Sequence, residues 1–98
     1  MEPRPDDPYI EAVLREVCAV ELGHVTTYGA IAAAMGRGGP RQVGRVMRLH
    51  GDAVAWWRVV RADGSPPACH GKSARDHLRD EGVRFLPDGR IDMAATRE

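Results

Sequence analysis

The sequence predicts a mostly helical α+β domain built around a helix-turn-helix, with a short β-hairpin near its C-terminus. Three observations carry that prediction. Inward-facing residues recur at helical spacing in four separate stretches. Two of those stretches are divided only by Gly36-Arg37-Gly38-Gly39, a turn that no helix crosses. Near the C-terminus, Pro87-Asp88-Gly89-Arg90 separates residues 83–86 from residues 91–93 and signals a hairpin. At 98 residues the chain suits a single domain with one core. Residues 1–7, rich in proline and acid, are expected to be a loose leader, and residues 94–98 a loose tail.

The first helix starts where Asp7 offers an N-cap acceptor and Pro8 occupies the first helical position, where a missing N–H costs nothing. Ile10, Val13, Leu14 and Val17 make its inner stripe, Glu11, Arg15 and Glu16 its wet face, and Cys18 is expected to be a small buried hydrophobe beside the stripe. Gly23 lies past its end. Thr26 or Thr27 caps a short second helix from about Tyr28 to Met35, with Ile31, Ala32 and Met35 inward and Gly36 as its stop. Pro40 starts a third, from residue 41 to about residue 50. On it Val43, Val46, Met47 and His50 face inward while Arg41, Arg45 and Arg48 share the opposite side with Gly44 among them.

After Gly51-Asp52 the segment Val54-Ala55-Trp56-Trp57-Arg58-Val59-Val60 reads as a turn running into a short strand at Val59-Val60, closed by the turn Ala62-Asp63-Gly64-Ser65. A loop follows at residues 66–71. Ser73 and Asp76 resemble a capping box opening a fourth helix, with Ala74, His77, Leu78 and Glu81 on one face and Gly82 as its stop. Residues 83–86 and 91–93 are the arms of the hairpin.

Net charge is zero, but it is unevenly spread. Residues 1–35 carry −4, residues 62–98 carry −1, and residues 36–61 carry +5, with six arginines against Asp52 alone. A basic middle implies a face that meets anions such as phosphates. Arg41, Arg45 and Arg48 on one helical face repel one another by some tenths of a kcal/mol unless anions lie against them, and Gly44 would let a nucleic-acid backbone or sugar approach closely. A solvated face is the alternative reading.

No apolar run has the length of a membrane span, so no membrane partner is expected. Cys18 and Cys69 lack metal or redox spacing, and free thiols in a reducing cytoplasm fit them best. There is no Walker loop, dinucleotide fingerprint or metal cluster, and no cofactor is expected. Trp56 and Trp57 are the only tryptophans; each is either core or a stacking wall for a flat ligand such as a nucleobase, worth about 1–3 kcal/mol per base.

Three ordered blocks resemble the DNA-binding domain of the O6-alkylguanine-DNA alkyltransferases. They are Gly23-His24-Val25-Thr26-Thr27-Tyr28-Gly29-Ala30-Ile31-Ala32, Pro40-Arg41-Gln42-Val43-Gly44-Arg45-Val46-Met47-Arg48 and Ala55-Trp56-Trp57-Arg58-Val59-Val60. The likeness covers roughly residues 9–86. That family's catalytic signature is Pro-Cys-His-Arg-Val, and here Trp56 stands at the cysteine's position. The substitution is similar to that of the alkyltransferase-like proteins, non-enzymatic relatives that recognise alkylated guanine and hand it to nucleotide excision repair.

The resemblance implies a winged helix-turn-helix-like DNA-binding domain with no catalytic residue and no metal. Its expected partners are double-stranded DNA containing O6-alkylguanine and nucleotide excision repair proteins, and its expected state is a cytoplasmic, nucleoid-associated monomer. It implies that Arg41 enters the base stack, Tyr28 presses on the rotating phosphate, and the third helix, with Gln42, Gly44, Arg45 and Arg48, lies in the minor groove. The implied lesion pocket is walled by Trp56, with Met47, Arg58, Val59 and Cys69 around it. This chain departs from the family at Trp57, which replaces a histidine, at Ala55, which replaces the proline, and at Leu49-His50-Gly51-Asp52, which lacks the asparagine hinge. Trp57 is expected to be structural. Two other readings remain open at this point: a winged-helix transcription regulator with the Trp pair as core, and an alkyl-accepting enzyme using Cys69 beside His70.

Overall fold

The computed structural model describes residues 8–67 and 73–96. In chain order these form α1 (Pro8–Cys18), β1 (Thr26–Thr27), α2 (Tyr28–Met35), α3 (Pro40–His50), 3-10 turns at Gly51–Ala53 and Trp56–Arg58, β2 (Val59–Val60), α4 (Ser73–Asp80) and α5 (Met93–Thr96). The fold is mostly helical, as the periodicity predicts.

The helix ends follow their punctuation. The Thr27 hydroxyl accepts the Ala30 N–H at 3.0 Å, which settles the capping choice between the two threonines. Gly36, at φ 73°, closes α2 by donating its N–H to the carbonyls of Ala32 and Ala33. Pro40 opens α3 behind Gly39 as N-cap. At the end of α4, Gly82 adopts φ 82° and the Val83 N–H reaches back to the Leu78 carbonyl at 3.0 Å, so the helix stops as expected. Asp7 lies outside the described residues.

Two buried clusters meet along β2. Ile10, Val13 and Val17 of α1 pack with Ile31, Val43, Val46, Met47, Trp56 and Val59 in the first. Val25, Val60, Leu78, Val83 and Ile91 form the second. Successive strand residues point to opposite sides, which sends Val59 into one cluster and Val60 into the other. Each fully buried Val or Ile contributes about 1.5–3 kcal/mol, so the short strand is held by its side chains more than by its two-residue ladder.

The structure differs from the sequence reading at several points. Cys18 is exposed, because as the last residue of α1 it lies one position beyond Val17 and turns off the buried stripe. Leu14 is half-buried at the edge of that stripe. The hairpin is reduced to one antiparallel bridge, Phe85 with Ile91, with the Leu86 N–H bonded to Arg90 and the Asp92 N–H to Arg84. Met93 does not extend its second arm but opens α5, so residues 94–96, expected to be loose tail, are helical.

The only sheet among the described residues is parallel, pairing Thr26 with Val59 and Thr27 with Val60. Nothing in the hydrophobic pattern announces it. Two residues per strand are too few to show a period of two.

Candidate nucleic-acid interface

The outer face of α3 is built by its own periodicity. Burying Val43, Val46 and Met47 turns Arg41, Gln42, Arg45 and Arg48 outward, and all four are exposed. Among the described residues no hydrogen bond or salt bridge engages the guanidinium of Arg41 or Arg48. An open groove of about 760 Å³ runs along this face, lined by Arg41, Gly44, Arg45 and Arg48 of α3, by Pro40 at its start, by Tyr28 at the start of α2, and by Arg61 just beyond β2. A smaller hollow of about 320 Å³ lies between Gln42 and the same three helix arginines. Among the described residues no acidic side chain lines either.

Gly44 keeps the groove open. A Cβ built there would lie 4.0 Å from the Tyr28 ring, in ordinary contact, so a larger residue is tolerated by the fold yet occupies space in the groove. Arg37, in the α2–α3 turn, sits 5.2 Å from the Tyr9 ring centroid and lines neither opening.

The two tryptophans occupy different surroundings. Trp56 is 7% exposed and belongs to the first cluster, with its ring edge-on to Trp57 at 5.7 Å and to His77 at 6.0 Å. Trp57 lies flat on His77, with centroids 3.9 Å apart and planes within 10°. Its indole N–H donates to Glu81 Oε2 at 2.8 Å.

Glu81 is the centre of this support. Arg58 grips it with two bonds, Nε to Oε1 at 3.0 Å and Nη2 to Oε2 at 2.9 Å, and donates a third to the Val20 carbonyl at 3.1 Å. The Gly23 N–H adds a bond to Oε1 at 3.2 Å. Burial pushes the Glu81 carboxyl up, but the bonds from Arg58, Trp57 and Gly23 outweigh it and hold its pKa below the ordinary carboxylate value. One carboxylate thus ties α4, the α1–β1 loop and the Trp segment together.

The family model of the 6-O-methylguanine DNA methyltransferase DNA-binding domain matches residues 8–83. The "DNA base-flipping protein" of Escherichia coli strain K12 is 34% identical over 97 residues, covering 94% of this chain and 75% of that one. "Alkyltransferase-like protein 1" of Schizosaccharomyces pombe is 34% identical over 86 residues, covering 81% and 80%. The chain belongs to this family, on its alkyltransferase-like branch.

Solved structures agree. The S. pombe alkyltransferase-like protein in complex with damaged DNA containing O6-carboxymethylguanine superposes with a TM-score of 0.76 at 29% identity, covering 92% of this chain and 94% of that one. A second structure of that protein with DNA gives 0.68 at 30% identity, with 85% of each chain covered.

Within the alkyltransferase-like domain the residues expected to meet DNA come together: Tyr28, Arg41, Gly44, Arg45 and Arg48 share the main groove, and Gln42 lies beside it. The residues expected around the lesion pocket are placed differently. Met47 and Val59 are fully buried in the cluster that holds Trp56, and Arg58 is committed to Glu81. Cys69 and His70 lie outside the described residues.

The link missing from the sequence reading, between α3 and the Trp segment, is a pair of 3-10 turns joined by a Trp56 N–H bond to the Val54 carbonyl at 2.8 Å. Sequence reasoning missed the roles of Arg61 and Glu81. Arg61 was visible only as a member of the basic middle segment, and Glu81 only as an inward-facing position of the fourth helix.

Proposed function

We propose that this chain is a non-enzymatic DNA-damage recognition protein that binds O6-alkylguanine in duplex DNA and flags it for nucleotide excision repair. The observation that carries the reading is Trp56 at the position of the family's nucleophilic cysteine, packed in the cluster that holds the buried stripe of the arginine-bearing α3. Tryptophan offers no usable nucleophile, so alkyl transfer from that position is closed and binding remains.

In this reading α3 docks in the minor groove, Arg41 enters the base stack, and Tyr28 presses the phosphate that rotates as the nucleotide turns out. Turning a base out costs a few kcal/mol, least for a weakened alkylated pair, and an aromatic wall at Trp56 favours the apolar adduct. The relatives named for base flipping and solved with damaged DNA support this assignment. Hand-off to excision repair is proposed on the family resemblance, and with it a monomer in the cytoplasm, nucleoid-associated when bound to DNA. No described helix is long and apolar enough to cross a membrane.

Intact-mass measurement after incubation with O6-methylguanine duplex tests the absence of catalysis. The reading expects an unchanged mass. A gain of one methyl group on Cys69 establishes an alkyl-accepting enzyme instead.

A further inference from the structure

We propose that Arg61 is a second phosphate anchor, gripping the DNA backbone from the β2 side of the groove while α3 grips from its own face. The inference deepens the DNA-binding reading and rests on it. Arg61 is exposed, lines the same groove as Tyr28 and the arginines of α3, and belongs to neither the helix-turn-helix nor the Trp cluster.

Its position follows from the parallel ladder. Because Thr27 is in register with Val60, the residues that follow, Tyr28 and Arg61, leave the two strands side by side and reach one groove. Arg61 is also held from its other side. Its N–H donates to the Ser65 carbonyl at 3.0 Å, and its carbonyl accepts the Gly64 N–H at 2.9 Å. That turn is pinned in turn to the C-terminal hairpin, where the Ile91 N–H donates to the Gly64 carbonyl at 2.8 Å. A Cβ on Gly64, which has φ 90°, would lie 2.8 Å from the Ile91 carbonyl oxygen, so the turn and hairpin touch closely.

The charge around the groove favours a phosphate. Four arginines converge there, and among the described residues no acidic side chain lines the groove. The nearest acid in sequence, Asp63, spends one carboxylate oxygen on the Ser65 N–H at 2.9 Å, and although its charge is felt by Arg61 as well as Arg90 it forms no salt bridge with Arg61. Among the described residues no hydrogen bond or salt bridge occupies the Arg61 guanidinium. A backbone phosphate in the groove relieves the mutual repulsion of these cations and releases its own counterions. The contact carries no base information, so it strengthens binding to damaged and undamaged DNA alike.

The test is fluorescence anisotropy over a salt series, with one duplex carrying a single O6-methylguanine and the same duplex undamaged. The proteins are wild type, Arg61→Ala, Arg61→Lys and, as a control distant in sequence, Arg15→Ala. Arg61→Ala is expected to weaken both duplexes about five- to tenfold near 0.1 M salt and to reduce the salt slope by about one. Arg61→Lys should restore most of the slope, and Arg15→Ala should match wild type. Unchanged affinity and slope in Arg61→Ala, while wild type still prefers the lesion, overturns the anchor. So does a loss confined to the damaged duplex, which assigns Arg61 to lesion readout. A wild-type chain that binds neither duplex fails at the DNA-binding reading itself, and the anchor falls with it.

Discussion

Arg41 and Arg37 stand four residues apart and carry the same charge, yet the fold assigns them to different surroundings. Arg41 is exposed at the start of α3 and lines both openings, whereas Arg37 lies against Tyr9. Arg41→Ala should therefore weaken lesion binding at least tenfold, about 1.4 kcal/mol or more, and Arg37→Ala by less than about threefold. Comparable losses in an anisotropy titration remove the special role of Arg41. Glu81 makes a prediction of a different kind. Glu81→Ala leaves Arg58 and the Trp57 N–H without their shared acceptor and should cost about 3 kcal/mol in urea unfolding, the scale for breaking a largely buried ion pair.

The pH dependence of Glu81 has a definite sign. Its folded pKa lies below the unfolded value of 4.5, so its stabilisation is complete above that value and is lost as pH falls through the folded pKa. Between wild type and Glu81→Gln, the stability difference should be largest near neutral pH and shrink on acidification below about pH 4.5. A difference independent of pH from 7 to 3 contradicts the ionised hub.

At the scale of elements, the helix-turn-helix is set by chemistry that is local in sequence, which is why it is legible there. Thr27, Gly36 and Pro40 mark its boundaries, and the Val43, Val46, Met47 stripe orients the arginines. Thr27→Ala should lower stability by about 1 kcal/mol through loss of the cap, read as a fall in thermal midpoint by circular dichroism. An unchanged midpoint would show that α2 is held by Ile31 and Ala32 alone. The parallel ladder is not legible, because its partners lie far apart in sequence and each strand has two residues. For the same reason the Glu81 hub escapes a reading by periodicity: Trp57, Arg58, Gly23 and Glu81 meet only after the chain has folded. Cys18 shows the smaller error that a stripe makes at its own end.

For the whole molecule, neutrality conceals a division of labour. The acidic α1 end and the mixed C-terminal part offset a basic middle whose arginines are mostly gathered on one groove. Arg37 and Arg58 are the exceptions, the first lying against Tyr9 and the second turned inward to hold the Trp segment. Behind the groove, β2 joins the two clusters, so the strand that follows Trp56 also leads to Arg61. The central claim is that this framework distinguishes a damaged base, and equilibrium binding to one short duplex with and without a single O6-methylguanine at matched salt tests it most directly. The account predicts at least tenfold tighter binding to the damaged duplex. Equal affinities would contradict it and leave a DNA-binding domain that does not sense the lesion.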